Sequence, residues 1–113
     1  MESSESNKAN RRFERFEVES RVKVSVTRRG EKSVFSGTAH DISVGGMALF
    51  LSSDLHIGET ITVTFALLFR TPMIVQGVVR SRDRYEYGIE FLNPSKTQQE
   101  EIVRNCRALS LLK

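Results

Sequence analysis

The stretch Phe16-Glu17-Val18-Glu19-Ser20-Arg21-Val22-Lys23-Val24-Ser25-Val26-Thr27 decides the fold. Phe16, Val18, Val22, Val24 and Val26 share one parity; Glu17, Glu19, Arg21, Lys23, Ser25 and Thr27 share the other. Successive side chains of a strand point to opposite faces. This alternation therefore describes an extended chain that becomes an antiparallel strand, buried on one side and wetted on the other.

Working outward, Arg29-Gly30-Glu31 is a turn signal. A second strand is expected from about Lys32 to His40, with Gly37 at a bend or a close backbone approach. Asp41 to Gly46 reads as turn-like, Met47 to Leu51 as a short third strand, and Ser52 to Glu59 as a loop with Gly58 near its end. Ile61, Val63, Phe65, Leu67 and Phe69 alternate with Thr60, Thr62, Thr64 and Ala66 to give a fourth strand, broken at Arg70-Thr71-Pro72. Val75, Gly77 and Val79 mark a fifth, bounded by Arg82-Asp83-Arg84, and Tyr85, Tyr87, Ile89 and Phe91 a sixth. Short strands with regular turns predict a small barrel or sandwich. The period then changes. Ser95, preceded by Pro94 and followed three residues on by Gln98, is a capping box. Ile102, Cys106 and Leu109, flanked by Val103 and Leu112, form a helical stripe. A helix over about 95–112 is expected to close one end of an all-β body.

Composition narrows the class. A chain of 113 residues with 39% apolar content is the size of one domain with one core. The net charge of +3 favours an anionic partner without requiring a nucleic-acid polymer. Cys106 is the only cysteine, so the fold needs no oxidising compartment. The first ten residues, MESSESNKAN, lack the apolar core of a signal peptide. No apolar run approaches the roughly 20 residues of a spanning helix, so no membrane insertion is expected and the expected location is the cytoplasm. Residues 1–10 also hold almost nothing to bury, and a tail disordered in the free protein is expected there, ahead of a domain over 11–113.

Two motifs carry chemistry. The first is Arg11-x-x-x-Arg15, with Arg12 inside it. A guanidinium is a planar fork of donors suited to phosphate oxygens and to the O6/N7 edge of guanine, and it stacks on bases. Taken alone, the arginines also fit a solvated basic patch beside a loose tail. The second is Asp41-Ile42-Ser43-Val44-Gly45-Gly46. In extended chain Asp41 and Ser43 share one face while Ile42 turns into the core. Gly45 and Gly46 can take positive φ and let a ligand approach the backbone. Taken alone, this segment also fits an ordinary Asx-type turn.

Together, RxxxR followed by a hairpin and DxSxxG resembles the signature of the PilZ domain family. Gly77-Val78-Val79 and Tyr87-Gly88-Ile89-Glu90-Phe91 are similar to weaker features of that family. The resemblance runs from Arg11 to the final helix. It implies a six-stranded antiparallel β-barrel with one C-terminal α-helix, a non-catalytic role, and cyclic di-GMP as ligand with no cofactor. Carried over, Arg11, Arg12 and Arg15 would form a latch at 11–15, and Asp41, Ser43, Gly45 and Gly46 the other half of the pocket. Arg80 departs from the pattern, standing where many relatives carry a large residue. Asn10, just before the first motif, leaves open whether one or two ligand molecules bind. The family's usual outputs, motility and exopolysaccharide synthesis, imply an unidentified effector protein, and the sequence selects neither.

The chemistry agrees independently. Cyclic di-GMP carries two phosphates and two guanines, and arginines serve both. Asp41 can accept from the guanine N1–H and N2–H₂, and Ser43 can donate. Adenine presents a donor where guanine has O6, so an arginine fork would meet like polarity.

His40, Asp41 and Ser43 invite a triad, but strict alternation puts His40 on the opposite face. His40, His56 and Cys106 lack a metal-ligand spacing. The rival from another class is a small barrel that binds single-stranded nucleic acid through Arg11–Arg15 and a stripe of Arg80, Arg82 and Arg84. Only Phe13 and Tyr85 are nearby rings for stacking. A ligand-free scaffold would be favoured if the motif arginines were tied into ion pairs.

Overall fold

A computed structural model describes residues 14–67 and 72–112. The tail at 1–10, Arg11, Arg12 and Phe13 lie outside the described residues. The elements are β1 (Phe16–Arg28), β2 (Glu31–Ser43), β3 (Gly46–Leu51), β4 (Thr60–Phe65), β5 (Met73–Asp83), β6 (Glu86–Phe91) and α1 (Lys96–Leu111). The strands close into an antiparallel barrel in the order β1-β2-β3-β6-β5-β4. The six-stranded barrel with one C-terminal helix is thus the architecture, and the sandwich alternative falls away.

The alternation of β1 becomes the barrel wall. Val22, Val24 and Val26 point inward against Leu49, Leu51, Ile61, Val63, Val79, Ile89 and Phe91. The Phe65 and Phe91 rings stack at 6.3 Å. The capping box forms as read: Ser95 Oγ accepts from the Gln98 N–H at 3.0 Å, and Gln98 Oε1 accepts from the Ser95 N–H at 3.0 Å. The helix it starts buries Ile102 and Cys106 completely and lies against β1.

Several boundaries differ from the sequence reading. Asp41 to Gly46 is not one long turn. β2 continues through Ser43, and the turn shrinks to Val44-Gly45. The reason is pairing on both sides: Asp41 and Ile42 face Glu17 and Phe16 of β1, and Ala48 and Met47 of β3. β4 ends at Phe65, although Leu67 beyond it is still buried, and Phe69 lies outside the described residues. Arg82 and Asp83 belong to β5, and the reversal is Arg84-Tyr85, with Arg84 at φ 60°. The β1–β2 turn has Arg29 at φ 52° and Gly30 at φ 79°, the two positive values that match a two-residue loop to the strand twist.

The loop after β3 is stapled by long-range polar contacts. The Tyr87 hydroxyl donates to the Ser53 carbonyl at 2.7 Å and accepts from the Leu55 N–H at 3.0 Å. Arg28 grips Glu59 with both prongs, at 2.6 and 2.7 Å, and donates to the Asp54 carbonyl at 2.9 Å. Hydrogen bonds from Arg28, helped by the His56 N–H, outweigh desolvation and hold the Glu59 carboxyl down at about 2. A depressed carboxylate pKa contributes stability that is present above its unfolded value of 4.5 and is lost as pH falls toward 2.

Two predictions follow from this frame. A Cβ on Gly46 would sit 2.0 Å from the Ile89 carbonyl oxygen of β6, and backbone cannot yield as a side chain does. Gly46→Ala should cost more than about 2 kcal/mol, whereas Gly30→Ala, with open space around it but positive φ, should cost about 1 kcal/mol. Urea midpoints at constant m would show this ranking. Separately, Glu59→Gln should destabilise the protein near neutral pH, and the gap to the parent should close between pH 4.5 and 2, read from denaturation curves across that range.

Candidate functional site

The site begins with an irregularity in β2. Ala39 and Ile42 are both buried, so strict alternation slips by one residue between them, at a bulge where the pairing with β3 jumps from Ala39 to Asp41. The slip leaves Ile42 in the core beside Phe16 and turns Asp41 to the outer surface of the barrel. Arg15 immediately precedes β1, and the pairing of Phe16 with Ile42 and of Glu17 with Asp41 carries it to the same place. Its Nη1 lies 3.8 Å from Asp41 Oδ2, with the two side chains 59% and 29% exposed. Residues from the two motifs, far apart in the chain, thus meet on the outer wall.

Ser43 follows on the same side as Asp41 and is 9% exposed. Its Oγ accepts the Gly45 N–H at 3.1 Å, so the turn is a serine turn and not the Asx type considered from sequence. That bond uses a lone pair and leaves the hydroxyl hydrogen able to donate. The Gly45 carbonyl accepts the Phe91 N–H at 2.9 Å, clipping the hairpin onto β6. Among the described residues the positive-φ glycines are Gly30 and Gly58, so neither Gly45 nor Gly46 uses the positive φ that glycine permits. Gly46 is needed because β6 passes so closely.

Two further sequence readings change. His40 does not lie on the face opposite Asp41: the slip puts both on the outside, and His40 Nε2 is 2.7 Å from Glu86 Oε1. Its partner is therefore a carboxylate of β6 and not the motif. Two of the three arginines in the stripe of Arg80, Arg82 and Arg84 are engaged with neighbouring groups. Arg80 donates to Glu90 at 2.5 Å. Arg82 donates to Asp54 at 2.6 Å and to the Leu55 and Arg84 carbonyls, and its guanidinium sits 5.6 Å and 5.2 Å from the Tyr85 and Tyr87 rings. Cys106 is buried, and desolvation pushes its thiol up to about 11, far from the thiolate that chemistry or metal binding needs. Among the described residues no group of three His, Cys, Asp or Glu side chains could hold a metal ion, and no helix is long and apolar enough to cross a membrane.

Two contacts escaped the sequence reading. Glu14 Oε1 accepts from Arg107 Nη2 of α1 at 3.1 Å. A groove of about 640 Å³ beside Arg15 is lined by Glu14, Phe16, Glu17, Arg107, Ser110 and Leu111. No local pattern could have paired a helix residue with the strand approach; only the packing of α1 on β1 does so.

A family model for the PilZ domain matches residues 9–108. Comparison with curated proteins gives no match. Among solved structures, the chain is similar to the PilZ domain with c-di-GMP of YcgR from Escherichia coli, at TM-score 0.71 and 16% identity, covering 88% of this chain and 91% of that one. It is similar to the inhibitor of motility MotI/DgrA from Bacillus subtilis, at TM-score 0.71 and 19% identity, covering 91% of this chain and 52%, about half, of that one. It is also similar to the PilZ domain of CeSA from a cellulose-synthesizing bacterium, at TM-score 0.66 and 17% identity, covering 85% of this chain and 97% of that one. At these identities the structural likeness is one of fold.

Proposed function

The chain belongs to the PilZ domain family, whose members are receptor domains for cyclic di-GMP and not enzymes, and we propose that it binds cyclic di-GMP on the outer wall of the barrel. The observation that carries this reading is the meeting of Arg15 with Asp41. The site comprises Arg11, Arg12 and Arg15 on one side and Asp41, Ser43, Gly45 and Gly46 on the other, within a domain over 11–113 that follows a tail at 1–10.

The ion pair between Arg15 and Asp41 acts as a placeholder. An exposed pair at this separation contributes well under about 1 kcal/mol, so both groups exchange at little cost. On binding, Arg15 turns to a phosphate or to the O6/N7 edge of a guanine, and Asp41 accepts that guanine's N1–H and N2–H₂. The scaffold reading required firmly tied motif arginines, and the loose contact of Arg15 speaks against it. The nucleic-acid reading loses Arg80 and Arg82 to Glu90 and Asp54.

Binding then acts as a disorder-to-order switch. Ligand charge draws residues 11–15 over the site and changes the surface shown to an effector protein in the cytoplasm. Motility machinery and exopolysaccharide synthesis are the candidate outputs. The inhibitor of motility and the PilZ domain of CeSA share the fold.

Calorimetry should give micromolar affinity or better, about −8 kcal/mol or stronger, with cyclic di-AMP and an oligonucleotide weaker by more than about fivefold. Arg15→Ala should weaken binding by about 2–3 kcal/mol while shifting folding stability by less than about 0.5 kcal/mol. An absence of heat at about 100 micromolar ligand, far above a micromolar constant, overturns the reading. The latch has its own check. Backbone ¹⁵N relaxation should show residues 11–15 mobile on the nanosecond scale without ligand and rigid with it, and unchanged relaxation would remove the latch.

A further inference from the structure

Building on cyclic di-GMP as the ligand, we infer that Arg107 of α1 is a further cation of the binding site, and that Glu14 competes with the ligand for it. Arg107 is far from both motifs in sequence, yet its side chain opens into the groove that Arg15 lines. Ser110 and Leu111, three and four residues on, complete that wall, because residues at this spacing share one helix face. The opposite wall is the approach to β1: Glu14, Arg15, Phe16 and Glu17.

The backbone of Arg107 is well fixed. Cys106 beside it and Ile102 one turn earlier are fully buried, so α1 cannot roll without opening the core. The guanidinium itself is on the surface, 66% exposed, and its partner Glu14 is 57% exposed. Such a pair dissolves readily in favour of a stronger anion. Two arginines thus border one groove, each held loosely by a carboxylate: Arg15 by Asp41 and Arg107 by Glu14. A ligand with two phosphates matches two cations approaching from different sides. Leu111, 85% exposed, offers an apolar wall to a base.

Glu14 is the odd member. It is a carboxylate inside a basic motif, next to the place proposed for a dianion. Left alone it would repel the ligand; bound to Arg107 it is neutralised. When ligand takes Arg107, that neutralisation is lost, and the affinity reflects both effects. Arg107 could therefore act by touching the ligand or merely by masking Glu14. The inference is the first.

The test is calorimetry with cyclic di-GMP on the full chain at fixed ionic strength, with four variants whose thermal midpoints are measured alongside. Arg107→Ala should weaken binding by about tenfold, the loss of one charge-assisted contact. Glu14→Gln should tighten it by a fewfold, since a competitor and a like charge are removed. The double variant Glu14→Gln with Arg107→Ala should stay weak. Arg104→Ala, a neighbouring helix cation that does not line this groove, should leave affinity unchanged. Restored binding in the double variant would reduce Arg107 to a mask for Glu14 and overturn the inference. So would equal losses from Arg104→Ala and Arg107→Ala, which mean diffuse attraction. If the parent binds and Arg107→Ala binds equally well, this inference alone fails; if the parent does not bind, the ligand assignment fails with it.

Discussion

β2 is hydrogen-bonded to β1 from the first hairpin to Ile42 and to β3 from Gly37 to Ser43, and the closure of the barrel passes through this double pairing. Neither neighbour alone would place the second motif. β1 brings Arg15 alongside Asp41, while β3 brings Gly46 under Ile89 of β6. Burial of Ile42 drives the arrangement: an apolar side chain at that depth favours the inward side, which leaves Asp41 toward the outside while Ser43 stays buried at the turn. The outer wall is organised by what the inner wall needs.

The two ends of β1 handle charge differently. At its C-terminal end Arg28 grips Glu59 with both prongs, strongly enough to displace the carboxyl's titration, and it anchors a loop that Tyr87 and Arg82 also hold. At its N-terminal end Arg15 and Glu14 touch Asp41 and Arg107 through exposed contacts. Tight charge pairing suits a structural corner, because release there would cost stability. Loose pairing leaves the charged groups free to exchange partners at little cost.

Period and turn chemistry made most of the fold legible. The alternation of β1, the capping box at Ser95 and the helical stripe ending at Leu109 each appear where local pattern put them. Errors clustered at strand ends. Gly45-Gly46 and Arg82-Asp83-Arg84 look like long turns because their residues favour turns, yet pairing with neighbouring strands, on both sides at Gly46 and with β6 alone at Arg82 and Asp83, extends the strands into them. For the site, Asp41 was legible as lying away from the core through Ile42 beside it, whereas the burial of Ser43 was not. The side of His40 was not, since a bulge leaves no local signature. The grip of Arg28 on Glu59 and of Arg107 on Glu14 joins residues that only tertiary structure brings together.

The bulge at His40 has a consequence for how this surface can change. A regular strand transmits phase along its whole length, so an altered spacing at one end inverts every side chain to the other end. Here the slip acts as a joint between two stretches, the wall up to Ala39 and the hairpin from Asp41 onward. Each stretch keeps its own phase through its own buried anchors: Ala39 on one side, Ile42 and Met47 on the other. The hairpin that bears the second motif is therefore partly modular. It can vary in composition, and even in register at the joint, without rewriting the wall that supports it.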